Sequence, residues 1–293
     1  MIVIYILSAA LLLAVLLLGR FYRSYRFPPD SVPQTLCFHK ISRKFCFEGT
    51  WTTPNRFRSQ MKTLLNRGYN FIDESSFLNL LDRRTGFNRW SVLLTFDDGY
   101  KETMELALPI LEELDIPALV FLVAGYVGRY NDWDLSLGRR SFYHLTWHDA
   151  KRMLKKRITF GSHGLTHSNL TIMPKEKCEQ EFSVSKRITE QNLGCEVRCF
   201  SYPFGIYNSS VKVLAARAGF KAAFSLYPAH ADGGADRYAL RRNGVYIIDS
   251  AKSVLAKLEP GHLRRFEDLK CRSINRVSVL TPALKNLRSH LDK

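Results

Sequence analysis

Seven short apolar runs, at 35–38, 92–96, 118–123, 158–160, 199–202, 222–225 and 245–248, alternate with stretches whose apolar residues recur at helical spacing. Strands that alternate with helices build a largely parallel sheet, open or closed into a barrel. Phe57, Met61, Leu64 and Leu65 share one helical face, and Arg67, Gly68 and Tyr69 end that helix. Thr146 is a good N-cap for the stretch through Lys156. Residues 211–218 followed by Gly219 read as a helix with its C-terminal stop. At 293 residues the chain can bury one large α/β core rather than two small ones. From Gly261 onward the sequence is basic and less clearly periodic, an appended helix or an extension.

The second run ends in two adjacent carboxylates, Asp97 and Asp98, followed by Gly99. Neighbouring side chains on a strand point to opposite faces, so both reach one cleft only where the chain turns at the strand end. There, one carboxylate can bind a metal while the other takes a proton. About 65 residues on, His163 and His167 stand four apart, a spacing that puts both rings on one side of a helical turn. Two histidines and one carboxylate form a three-ligand set with room for water, the pattern of a catalytic zinc rather than a structural one.

Residues 2–19 are uncharged and mostly Leu, Ile, Val and Ala, the lower length limit for a spanning helix. No charged residue precedes them and no small-residue cleavage site follows, which favours an uncleaved membrane anchor at 1–19 over a signal peptide. A basic linker, 20–33, then leads into the domain. Its Arg20, Arg23 and Arg26 place the domain on the cytoplasmic side by the positive-inside rule.

The formal net charge is +16, which favours anionic partners such as lipid headgroups. No Lys/Arg cluster is interleaved with aromatics, so nucleic acid is not an expected partner. The six cysteines form no Cys-x-x-Cys pair and read as core thiols.

Four segments resemble the NodB-type polysaccharide deacetylases, carbohydrate esterase family 4. Thr95-Phe96-Asp97-Asp98 is similar to that family's first motif, and Ser162-His163-Gly164-Leu165-Thr166-His167 to its metal-binding motif. Phe200-Ser201-Tyr202-Pro203-Phe204-Gly205 resembles the loop that forms one groove wall. Leu36-Cys37-Phe38-His39 resembles an amino-terminal Tyr-His element of one branch, with Phe38 in place of the tyrosine.

The resemblance spans about 36–249. It implies a distorted (β/α) barrel of about seven strands, here a NodB homology domain at 34–255 with a C-terminal extension at 256–293. In such barrels the chemistry sits at the carboxyl ends of the strands. The family's side of the membrane is extracytoplasmic, opposite to what the flanking charges favour.

The resemblance also implies roles. Asp98, His163 and His167 would hold a divalent metal, most plausibly zinc. Asp97 would act as base, the backbone N–H of Phe204 would bind the oxyanion, and His39 would protonate the leaving amine. Many members carry an arginine where this chain has Ser201, and that arginine orients the base; here Arg198 or Arg241 replaces it, or nothing does. Trp133 or Trp147 would wall the sugar pocket, Trp147 reading more readily as a core aromatic. His148, His230 and His262 read as surface residues.

The leading expectation is a membrane-anchored N-deacetylase of N-acetylated amino sugars in a polysaccharide or glycoconjugate. One alternative is a deacetylase or deformylase of a lipid-linked amino sugar. Another is a catalytically dead glycan-binding module, motivated by the arginine missing at 201. An anchored nucleic-acid or phospholipid binder rests on charge alone.

Overall fold

Strand β1 (Gln34–Phe38) lies between β5 (Ser91–Phe96) and β10 (Leu240–Gly244), and those two pairings close the sheet on itself. The circuit runs β1, β10, β9 (Ala222–Leu226), β8 (Cys199–Ser201), β7 (Ile158–Ser162), β6 (Ala118–Leu122), β5 and back to β1. It is a barrel of seven parallel strands. The computed structural model describes residues 33–46, 49–83, 88–131, 142–226 and 236–279.

One seam is split. The lower half of β5 pairs with β4 (Asn70–Ile72) and its upper half with β6, so the barrel opens at its amino end. There α2 (Glu74–Arg83) turns Phe77, Leu78 and Leu81 into the interior cluster with Leu93, Phe121 and Phe224. A separate two-stranded pairing, β2 (Lys40–Ile41) with β3 (Trp51–Thr52), follows β1.

Helices α1 (Pro54–Asn66), α3 (Lys101–Glu113), α4 (Trp147–Leu154), α5 (Lys175–Leu193), α6 (Ser209–Arg217) and α7 (Ala251–Leu258) follow in chain order. α1, α3, α4 and α7 contribute to the large outer core, where Phe57 and Leu64 meet Val92, Leu94 and Phe96 of β5. Alternate β5 residues thus serve two cores, and a parallel strand buried on both faces reads as a continuous apolar run. α1 and α4 start at Thr53 and Thr146. Thr146 and Asp149 form a reciprocal capping box. The expected extension contains α8 (His262–Val279), and α7 spans position 255.

One strand differs from expectation. The last barrel strand is 240–244, not 245–248. Its sequence, Leu-Arg-Arg-Asn-Gly, carries no apolar alternation because Arg242 points into the barrel while Arg241 and Asn243 point out to α8 and β1.

The anchor expected at 1–19, the linker up to position 32, Trp133 and His230 lie outside the described residues. Among the described residues no helix is long and apolar enough to cross a membrane. No disulfide joins any of the six cysteines.

Candidate active site at the carboxyl end of the barrel

At the end of β5 the backbone N–H of Asp97 still bonds Phe38 O at 2.9 Å, which keeps its side chain directed inward. Asp98 and Gly99 then take φ of 68° and 66°. Aspartate tolerates this left-handed conformation better than most residues, and two such steps reverse the chain. That reversal lets neighbouring carboxylates serve one cleft. A buried imidazole, His144, bonds the Asp98 carbonyl through Nδ1 at 2.7 Å and braces the turn.

His163 directly follows β7. Its Nδ1 donates to Ser201 O at 2.7 Å, which leaves Nε2 as the acceptor facing the cleft. Nε2 lies 3.5 Å from Asp98 Oδ1, and His167 Nε2 lies 3.3 Å from the same oxygen.

The two histidines do not converge through a helical turn, as their spacing suggested. Residues 163–167 form a loop, with φ of 84° at Gly164 and 55° at His167. Glu181 of α5 fixes its shape: Oε2 accepts from Leu165 N at 2.7 Å and Thr166 N at 3.1 Å, and Oε1 accepts from the Thr166 hydroxyl at 2.5 Å.

Asp98, His163 and His167 each offer a ligand atom, all within 4.8 Å of one another, and all three are buried. Burial lowers both imidazoles below their ordinary pKa, so they stand neutral with lone pairs available. Two neutral imidazoles, one carboxylate and a carbonyl that orients one ring are the donor set and the support a divalent cation takes. The residues therefore fit such an ion.

Asp97 is 1% exposed. Burial pushes its carboxyl up, but the Arg242 guanidinium reverses the sign and holds it well below the usual carboxylate range. The pair is bidentate: Nη1 to Oδ1 and Nη2 to Oδ2, each 2.7 Å. Arg242 also donates to Ser201 Oγ at 2.7 Å and Thr95 Oγ1 at 3.2 Å, and lies over the rings of Phe121 and Phe224.

Neither expected substitute for the arginine missing at 201 does this. Arg198 bonds Glu74, and Arg241 pairs with Asp268. The arginine comes instead from β10, and the residue at 201 has become a small hydroxyl that it bonds. Adjacent arginines in an unrecognised strand gave no local signal for which one pointed inward.

His39 sits beside the base, Nε2 at 3.9 Å from Asp97 Oδ2. Burial pulls it down to about 4, against the raising pull of Asp97. Cys37 lies beneath, its thiol 3.5 Å from Asp97 Oδ2 and pushed well up by burial.

Phe204, at φ 59°, lies in a tight turn from Pro203 to Gly205, its ring 4.7 Å from that of His167. Gly205 must be glycine, because its φ is 68° and a Cβ there would stand 2.6 Å from Leu226 N. Trp147 packs partly against the outer core, and His148 and His262 are exposed.

The sequence profile described as "Polysaccharide deacetylase" matches residues 85–223, which contain both carboxylates, both histidines and the 200–205 loop. Over those residues the chain matches the NodB-type polysaccharide deacetylases. They are hydrolases of carbon–nitrogen bonds other than peptide bonds.

YxkH of Bacillus subtilis (strain 168), assigned to the polysaccharide deacetylases, is 27% identical over 217 residues, 73% of this chain and 71% of its own. The poly-beta-1,6-N-acetyl-D-glucosamine N-deacetylase of Staphylococcus aureus (strain MRSA252) is 26% identical over 214 residues, 70% of each chain. Among solved structures, the Streptococcus pyogenes deacetylase PplD superposes with a TM-score of 0.68 at 22% identity. That match covers 80% of this chain and all of PplD. IcaB from Ammonifex degensii gives 0.64 at 22% identity, over 77% of this chain and 94% of IcaB. At these identities the structural matches speak to the fold.

Proposed function

We propose that this polysaccharide deacetylase hydrolyses the acetamide of N-acetylated amino sugars in a polymer. Asp98, His163 and His167 would hold a divalent cation, for which the donor set favours zinc. Bound there, the cation would supply Lewis acidity and a more acidic water. The observation that carries the reading is a buried aspartate, kept ionised by a bidentate arginine, next to a convergent His-His-Asp set. A binding module has no use for a proton acceptor maintained at such desolvation cost. The similarity to poly-beta-1,6-N-acetyl-D-glucosamine N-deacetylases supports an N-acetylglucosamine polymer as substrate.

In this mechanism Asp97 takes the proton of the attacking water, aimed by Arg242. The backbone N–H of Phe204 donates to the developing oxyanion, a contribution of roughly 3–4 kcal/mol where such a donor is well placed. His39 is neutral at physiological pH and has no spare proton in the resting site. It takes over the proton that Asp97 draws from the water and delivers it to the leaving amine, its Nε2 standing 3.9 Å from Asp97 Oδ2 in the resting site. Residues 2–19 serve as the membrane anchor in this reading, and the short linker holds the barrel near the bilayer.

Acetate release from N-acetylglucosamine oligomers tests the proposal. The expected outcome is release that stops with a chelator and returns with zinc. Asp97→Asn should keep metal content and lose release. A chelator-insensitive rate would remove the metal role, and an active Asp97→Asn enzyme would remove the base.

A further inference from the structure

Helix α8 is inverted. Its charged residues Arg264, Glu267 and Asp268 are buried, while Leu263 and Phe266, one turn apart, are 69% and 62% exposed. The inward face is explained by ion pairs. Asp268 meets Arg241 of β10, and Glu267 meets Lys257 of α7 at 3.1 Å. Nothing in the described residues explains why Leu263 and Phe266 point outward.

The position of that face points to its occupant. Moving up β10, Arg241 pairs with Asp268, Gly244 O lies 3.9 Å from Cys271 Sγ, and the Tyr246 hydroxyl bonds Asn275 at 2.8 Å. α8 therefore runs in the direction of the strands, and its first turns lie at the amino end of the barrel, opposite the active site. β1 is the neighbour of β10, with Leu36 beside Asn243, and Gln34 reaches Asn243 at 3.5 Å. The chain thus enters the barrel beside α8 at this same end, coming from the linker and the uncharged residues 2–19. Exposed cations stand at this end, Arg89 before β5, Lys155 before β7, Arg217 at the end of α6 and Lys221 before β9, alongside the exposed acids Asp115 before β6 and Glu196 before β8. The described chain ends at Val279, at the other end of α8, about 24 Å of helix from Leu263.

We infer that Leu263 and Phe266 dock on an anionic lipid bilayer and turn the catalytic mouth away from it. This rests on the anchor reading above. An apolar pair at an end that also presents exposed cations suits the boundary between headgroups and acyl chains. The six residues of β5 set the mouth about 20 Å further out. The docked enzyme would therefore serve glycan that stands off the membrane.

The test uses the full chain in vesicles of equal parts phosphatidylcholine and phosphatidylglycerol, with acyl chains brominated near the headgroup. Tryptophan is placed at the docking face (Phe266→Trp) or at the exposed Ile172 beyond the metal-binding loop (Ile172→Trp), and emission is read relative to the unaltered chain. The expected result is loss of most of the emission added at 266 and retention of that added at 172. Co-flotation with unquenched emission at 266 overturns the docking face and leaves the anchor standing, even if a blue shift shows that protein covers the site. Quenching at 172 overturns the orientation. Failure to float removes the anchor, and the inference with it; acetate release on the same sample reports the catalytic reading separately.

Discussion

A carboxylate as deeply buried as Asp97 stays ionised only while a cation faces it, and Arg242 supplies one through two parallel 2.7 Å bonds. Arg242→Ala should leave that charge unpaired and destabilise the fold by about 3–5 kcal/mol, read by chemical denaturation. Arg242→Lys keeps the charge but loses the fork, so kcat should fall roughly 10–100-fold with KM little changed, the scale typical of a supporting group. Ser201 Oγ already lies 3.3 Å from Asp97 Oδ2, so the double change Ser201→Arg with Arg242→Ser should recover part of both losses. No recovery would mean that only β10 can present the fork. His39 predicts a pH effect. Its folded pKa, about 4 against 6.5, is depressed, so the unfolded chain binds the proton more readily between those values. Stability of the metal-free protein should fall as pH drops from 6.5 to 4. His39→Gln should flatten that slope by on the order of 2 kcal/mol, less than the full shift because the ring is 15% exposed. The two aspartates and two histidines were legible in the sequence because each pair sits in a local pattern after an apolar run. Arg242 was not, because what makes it functional is a pairing across the barrel, 145 residues from Asp97.

Elements differ in how openly their residues announce them. β5 and β6 serve two cores and read as apolar runs, and α4 carries its capping box in sequence. β10 holds an ion pair on each face and reads as a charged loop, which is why the expected strand slid to 245–248. The loop at 163–167 shows the same limit. Its His-x-x-x-His spacing suggested a helical turn, whereas its shape comes from a carboxylate on α5 that reads as one more polar helix residue. Glu181 faces three donors, two backbone N–H groups and the Thr166 hydroxyl. In Glu181→Gln an amide N–H2 must turn toward one of them, and the loop should loosen. Zinc affinity measured by calorimetry should drop about 10–100-fold, and the metal-free protein should lose about 1–3 kcal/mol of stability for the buried donor left without an acceptor. An unchanged affinity would show that Gly164 and the flanking strand hold the loop unaided.

The barrel as a whole is polar along its axis. Chain entry and the first turns of α8 occupy one end; Asp97, Asp98, His163, His167 and Phe204 occupy the other. That arrangement bears on substrate choice more than any single pocket residue does. Linker residues 20–33 can extend to roughly 46–50 Å, enough slack for an undocked barrel to tip its mouth toward the bilayer. Docking through Leu263 and Phe266, as inferred above, would remove the slack and hold the mouth outward. In anionic vesicles the native chain should therefore release acetate from soluble N-acetylglucosamine oligomers but not from a polyprenyl-linked N-acetyl sugar in the same membrane. Replacing both contacts by aspartate adds negative charge at the headgroups and frees the barrel on its tether. Leu263→Asp with Phe266→Asp should leave the oligomer rate within a factor of about two, since neither residue touches the site, and should make the lipid-linked sugar a substrate. If the native chain already turns over the lipid-linked sugar at the oligomer rate, the outward orientation is wrong, and the lipid-linked reading of the substrate gains the support this geometry withholds from it.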